Sequence, residues 1–357
     1  MSTRRKAAVF GTGRLASGGG VVAVCRQMVV ALEEDGFRTT YVNVSAGVRG
    51  GRFAAAAEVW NARRTSSRMG PVDVAISNGP IGIGVRGATS VHMYHGTYVG
   101  QAAAIRSAIS RRGAWRMRVF DGGQLEQRAG RGKVCLANSD RTAAEVAGHF
   151  GFRCRVVWCP VEVDEFRPGN LDTALMARIG VERGRPVALF VGANRPMKGP
   201  VTAARVARRM TDLTWIFVGR PSARLDFGTS RVIWLDAIPR AEMAPLLRSV
   251  DVVLTPGVYE PFGILAAEAL ASGTPIVTGP SGLADLVLRG AGRRFVVPDP
   301  EDVVALQRAT AAAVEDRPYF NDVLEEVRDQ IRELLAPAVW RERFLAEAGI
   351  APRAVAH

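Results

Sequence analysis

Short runs of β-branched and other apolar residues alternate along this chain with longer segments rich in Ala, Leu and Arg. A short apolar run bounded by Gly, Pro or Asn reads as a strand buried on both faces, and the longer segments read as helices. The alternation therefore predicts βα units with parallel sheets. Strands are predicted near 7–10, 40–44, 72–77, 89–94, 133–137 and 155–158, and again near 187–191, 214–218, 231–235, 251–254, 275–278 and 294–297. Between the two sets lies Pro160–Leu171, PVEVDEFRPGNL, whose prolines, glycine and acids read as a linker. Helical apolar spacing is predicted over Val323–Ala348, with Trp340 and Phe344 at i, i+4. The expected organisation is an N-terminal Rossmann-like domain over 1–165, a second over 166–335, and a terminal segment, 336–357, whose helix crosses back to the first.

Composition narrows the class. The 357 residues are 48% hydrophobic and 23% charged, which suits globular domains and excludes disorder as the dominant state. The net charge of +13 comes from 47 Lys and Arg against 34 Asp and Glu, and only three of the basic residues are lysine: Lys6, Lys133 and Lys198. Of that charge, +11 sits in residues 1–165 and +2 in the remainder. Either a genome-wide preference for arginine or an anionic partner of the first half accounts for it. No apolar run approaches the roughly 20 residues of a bilayer span, and Ala7–Phe10 behind the basic start is too short for a signal-peptide core. A cytoplasmic protein is expected. Cys25, Cys135, Cys154 and Cys159 form no pair of Cys-x-x-Cys units, so free thiols are expected rather than a zinc site.

Open parallel sheets bind ligands outside the carboxyl ends of their strands, so chemistry is sought there. The most informative segment is Thr255–Gly279, TPGVYEPFGILAAEALASGTPIVTG, which follows the strand predicted at 251–254. Pro261 and Gly263 break the chain, good helix formers run from Ile264 to Ser272, and Gly273 is placed to end the helix. The free amides of Gly263, Ile264 and Leu265 at such a helix start form an anion site. Glu260 precedes the helix and Glu268 lies inside it, where side chains lean back toward the N-terminus. Carboxylates beside a phosphate site are suited to accept hydrogen bonds from sugar hydroxyls.

On these residues the chain resembles the retaining GT-B glycosyltransferases of family 4, group 1. The signature E-P-F-G-x4-E-A-x-A-x-G-x-P-V is matched over Glu260–Ile276. Phe190–Gly199, FVGANRPMKG, resembles the strand, turn and Lys-Gly that hold the donor diphosphate, and Ser17–Gly36 resembles the N-terminal glycine loop and its helix. Val91–Tyr98, VHMYHGTY, resembles the strand that ends in a cleft-facing histidine. The resemblance implies an α/β GT-B fold, two Rossmann-like domains with parallel sheets facing a central cleft. It also implies a retaining, hexosyltransferase-type enzyme that moves a sugar from a UDP- or GDP-linked donor to an acceptor hydroxyl without a metal ion or other cofactor. The alternative is a catalytically silent nucleotide-sugar-binding protein of the same fold.

Carried over residue by residue, the resemblance gives Glu260 a contact with the transferred sugar and Glu268 the ribose. Phe262, Gly263, Ile264 and Leu265 supply backbone to phosphate and sugar, Gly18 and Gly19 supply the glycine loop, and Lys198 neutralises the leaving diphosphate. His95 contacts the donor sugar or orients the acceptor hydroxyl; with Glu260 and Lys198 it completes the expected catalytic set. His92, three residues earlier, points to the other face of a regular strand. The chain departs from the pattern at Ala193, where the family has Arg, and Arg195 is the nearest substitute; Cys159–Glu162 also departs. Glycines 11, 13, 18, 19 and 20 lack dinucleotide-fingerprint spacing, and no Asp-x-Asp occurs. The acceptor is expected on the first half. There Arg111, Arg112, Arg116 and Arg118 surround Trp115 and Phe120, either as a solvated face or as a surface for an anionic acceptor or the inner face of a membrane. No nucleic-acid-binding module is recognisable.

Overall fold

The computed structural model describes residues 4–16, 19–48, 54–182, 184–221 and 224–350. The chain forms two compact units, one comprising the residues through Pro160 together with those from Pro337 on, the other Val161–Ala336.

The first unit opens with β1 (Lys6–Gly11), α1 (Gly20–Glu34), β2 (Arg38–Asn43), α2 (Ala54–Arg68), β3 (Val74–Asn78), β4 (Thr89–Tyr94) and α3 (Tyr98–Ala104). Then come α4 (Arg111–Trp115), a π-helical stretch over Arg116–Glu126, α5 (Gln127–Gly130), β5 (Val134–Ala137), α6 (Asp140–Phe150) and β6 (Arg155–Val156). The six strands form one sheet in the order β2-β1-β3-β4-β5-β6, and every pairing is parallel. All five residues of β3 are buried, as a central parallel strand requires when both faces are covered.

The second unit contains α7 (Thr173–Arg178), β7 (Val187–Val191), α8 (Pro200–Arg209), β8 (Thr214–Val218), β9 (Arg231–Leu235), α9 (Arg240–Ser249) and β10 (Val252–Thr255). It continues through α10 (Ile264–Ala271), β11 (Ile276–Thr278), α11 (Gly282–Val287), α12 (Val303–Glu315) and α13 (Arg317–Leu335). Its five parallel strands are ordered β11-β10-β7-β8-β9. Stacked Phe217 and Trp234, with Phe190 and Phe227 at the edges, fill one face of this sheet. The α/β class with two parallel sheets is therefore as expected.

Two elements differ from the sequence reading. The strand expected at 294–297 is a 3-10 turn over Gly290–Phe295 followed by a single parallel bridge from Val296 to Thr278. Pro298 has no N–H to extend that bridge into a ladder. The helix expected over Val323–Ala348 is broken at Ala336, whose ψ of 144° is extended, because the following Pro337 disfavours a helical conformation in the residue before it. Pro337 instead starts α14 (Pro337–Glu347), which packs on α1 in the first unit.

Helix α14 covers the free edge of β6. Trp340 Nε1 donates to the Trp158 carbonyl at 2.6 Å, and Arg343 Nε to the Val156 carbonyl at 3.1 Å while its guanidinium lies 3.8 Å above the Trp158 ring. Carbonyls that an edge strand would leave to solvent are thus satisfied from within the unit. Trp340 is 1% exposed and stacks on Phe344 at 4.9 Å. Trp340→Ala is expected to cost about 3–5 kcal/mol of stability, read from the urea midpoint of the first unit; a loss within about 1 kcal/mol would show that α14 is not part of its core.

Candidate active site

In the second sheet the winding reverses between β7 and β10, so the loops leaving their carboxyl ends part from each other and open a crevice. The loop after β7 makes a 3-10 turn, Pro196–Lys198, and the loop after β10 leads to the start of α10. Tyr259 N–H donates to the Met197 carbonyl at 3.3 Å, tying the two loops together. Phe190, Val191, Lys198, Thr255, Gly257, Glu260, Gly263, Leu265 and Ala266 line a pocket there.

Two glycines shape it. A Cβ on Gly192 would stand 2.9 Å from Lys198 Cγ, and its φ of 111° is in the left-handed region, so only glycine lets the lysine stem fold back over the turn. Gly263 immediately precedes α10 with φ of 109°. That conformation turns the chain into the helix with no side-chain cap on its first amides.

Lys198 and Glu260 meet in an ion pair between Nζ and Oε2, with side chains 29% and 14% exposed. Glu268 is the one charged residue of α10, and it is buried with the alanines and leucine around it. Burial pushes its carboxyl up to about 7, against the pull of Arg240. Arg240 Nη1 donates to Glu268 Oε1 at 2.6 Å, Nη2 stands 3.6 Å from Glu165 Oε2, and the guanidinium lies 4.4 Å over the Phe166 ring. Arg240 was not singled out by sequence. It opens α9, far from either signature, and only the fold brings it to Glu268.

The other expected residues are placed as follows. Phe262 is buried, so its side chain serves the core while its backbone enters α10; Gly263 and Leu265 line the pocket and Ile264 is half-buried beside them. Arg195 is exposed and does not line the pocket, and Ala193 is fully buried with its N–H bound to the Val218 carbonyl. In the first unit, Gly19 precedes α1 with φ of 129°, and Gly18 lies outside the described residues. His95 follows β4 and makes a hydrogen bond of 2.8 Å between Nε2 and Asn78 Oδ1. His92 is fully buried, bonded through Nδ1 to Ser77 Oγ at 2.9 Å and packed edge-on to Tyr94, which is a core role. Trp115 and Phe120 are exposed, 64% and 41%. Among the described residues no group of three or more His, Cys, Asp or Glu side chains is placed to hold a metal ion, and no helix is long and apolar enough to cross a membrane.

Residues 185–316, which contain both signature segments, match the family model described as glycosyl transferases group 1. The match lies wholly within the second unit. The D-inositol 3-phosphate glycosyltransferase of Mycobacterium tuberculosis is 33% identical over 170 residues, 43% of this chain and 35% of that protein. The chain thus aligns with about a third of the length of this curated relative. Over nearly its whole length the chain is similar in structure to sucrose-phosphate synthase from Thermosynechococcus elongatus, with TM-score 0.78, 18% identity and coverage of 96% and 97% of the two chains. It is also similar to HepE from Anabaena in complex with UDP-glucose, with TM-score 0.70, 14% identity and coverage of 97% and 100%. The likeness is one of fold, that of the GT-B glycosyltransferases.

In the second unit, the Arg240–Glu268 pair makes a pH-dependent prediction. The Glu268 carboxyl is raised on folding from 4.5 to about 7, so its ionisation removes stability as pH rises through that interval. Arg240→Leu takes away the cation that lowers it, and so raises it further. The variant is expected to lose about 3 kcal/mol relative to the natural chain at pH 8 and far less at pH 5, measured from urea midpoints at both. Equal losses at the two pH values would mean that Arg240 acts through its packing on Phe166 alone.

Proposed function

We propose that this chain is a retaining glycosyltransferase that takes a sugar from a UDP- or GDP-linked donor and passes it to an acceptor hydroxyl without a metal ion. The observation that carries this reading is the convergence of Lys198, Glu260 and the uncapped amides of α10 on one pocket at the crevice between β7 and β10. The amides and the Lys198 ammonium suit a diphosphate, and the carboxylates suit hydroxyls. HepE was solved with UDP-glucose, which favours a nucleoside-diphosphate donor.

In the transfer, the bond between the anomeric carbon and the diphosphate oxygen breaks as the acceptor oxygen bonds to the same face of that carbon. The acceptor proton passes to the departing phosphate oxygen. Lys198, released from Glu260 by the incoming diphosphate, stabilises the negative charge on the leaving group. Glu260 is then free to hold the transferred sugar, Glu268 the ribose, and His95 a substrate hydroxyl. The acceptor is anionic in this reading: the relative's name includes a sugar-alcohol phosphate, inositol 3-phosphate, and the first half here holds +11 of the charge. Exposed Trp115 and Phe120 among Arg111, Arg112 and Arg118 give that half a face suited to an anionic membrane surface.

A screen of UDP- and GDP-sugars by thermal shift is expected to find one that raises the melting temperature; stabilisation by none would count against a donor site. With that donor, Glu260→Gln is expected to lower turnover by about a hundredfold or more while the variant still binds. Turnover at the natural rate would remove Glu260 from the site. The chain is expected to sediment with anionic vesicles at low salt and to be released as salt rises, and Trp115→Ala to weaken the binding; indifference to lipid charge would limit the anionic partner to a free acceptor.

A further inference from the structure

The first sheet has its own reversal of winding, between β1 and β3, and Asn78 stands at it. The β1–β3 ladder ends at Val9 and Ile76, so the Phe10 carbonyl lies beyond the paired region. Asn78 Nδ2 donates to that carbonyl at 2.9 Å and reaches Cys25 Sγ on α1 at 3.4 Å. A backbone carbonyl can only accept, so the amide orientation is decided: nitrogen toward β1, oxygen away from it. Asn78 Oδ1 then faces His95 Nε2 at 2.8 Å. An amide oxygen also can only accept, so Nε2 carries the ring proton. Nδ1 keeps its lone pair and has no hydrogen bond among the described residues.

We propose that Asn78 is a positioning residue that holds His95 neutral with its proton on Nε2, so that Nδ1 is presented as an acceptor to a hydroxyl of the bound sugar or acceptor. The class of ligand rests on the glycosyltransferase reading; the lock itself does not. The surroundings are consistent with a neutral ring. Burial pushes His95 down to about 4 and the Cys25 thiol up to about 12, so neither contributes a charge near neutral pH. His92 on β4 is also held neutral by burial, beside the Lys133 ammonium. The nearby carboxylates are engaged elsewhere: Glu145 accepts from Thr97 Oγ1 at 2.8 Å and Glu126 from the Tyr98 N–H at 2.8 Å. Asn78 is 6% exposed, so each of its contacts is made away from water, where an unpaired partner is costly. A neutral acceptor at Nδ1 can orient a hydroxyl but cannot donate a proton to it, which assigns His95 to orientation and not to general-acid work.

The test reads the ring directly. The chain has four histidines, His92, His95, His149 and His357, so long-range proton–nitrogen correlation spectra of histidine-labelled protein can be assigned with His95→Gln. In the natural chain His95 is expected to show a protonated Nε2 and an unprotonated Nδ1, unchanged from about pH 8 to pH 5.5, as follows from its depressed pKa. In Asn78→Asp its titration midpoint is expected to rise by about 2 units, and the acid limb of the pH–rate profile with it. In Asn78→Ala the two ring nitrogens are expected to give averaged signals, with kcat reduced more than donor KM. A proton on Nδ1, or titration near the ordinary 6.5, in the natural chain would overturn the proposal even if neither variant folds. Donor binding is scored separately by thermal shift, so failure of the glycosyltransferase reading is visible there while the ring spectrum still decides the lock.

Discussion

A parallel sheet that is wound in both directions must leave a gap at the strand pair where the direction changes, because the two loops there run to opposite faces. Both sheets in this chain obey that constraint, between β7 and β10 in one and between β1 and β3 in the other. Nearly every residue proposed for a chemical role stands at one of these two gaps. Lys198 and Glu260 leave the carboxyl ends of β7 and β10, and Asn78 ends β3 against the last carbonyls of β1. His95, just after the neighbouring strand β4, is joined to this gap by its bond to Asn78. The crevices follow from topology, and the sequence has only to furnish them with glycine turns and polar side chains.

The charges in the second crevice are arranged so that no carboxylate is buried alone. Glu260 is neutralised by Lys198, and Glu268 by Arg240, which shares its charge with Glu165 and stacks on Phe166. Such pairs contribute little net stability, because desolvation consumes most of the Coulombic gain, but an unpaired charge in the same place is expensive. The partners therefore act as counter-ions that allow the acids to wait in an apolar setting. Lys198 and Glu260 line the pocket, whereas Glu268 and Arg240 are not among its lining residues. The two acids thus differ in setting: Glu260 faces the pocket, and Glu268 is buried within α10.

Local signals made much of this legible. Gly263 with its left-handed φ, the uncapped helix start and the acid pair all fall within Pro256–Gly273, so spacing alone locates them. The βα alternation likewise gives eleven of the strands near their observed positions. Where the expected strands and helices departed from the structure, one proline was responsible each time: Pro298 stops a twelfth strand, and Pro337 cuts a long helix in two. What the sequence did not disclose is long-range pairing. Arg240 and Glu268 are 28 residues apart and Asn78 and Cys25 are 53 apart. None of these pairs carries a periodic or motif signal, since their meeting depends on which helices and strands the sheet order brings together. Asn78 carries no motif signal either, and His92, in the same motif as His95, is part of the core.

The break at Ala336 has a consequence for how the protein is made. Synthesis completes Val161–Ala336 before α14 leaves the ribosome, so the second unit has all of its sequence while the first still lacks the helix that covers α1 and the β6 edge. The unit that begins the chain is therefore the later one to close. Until Trp340 and Phe344 arrive, the Val156 and Trp158 carbonyls and the neighbouring face of α1 stay open to water and to other nascent chains.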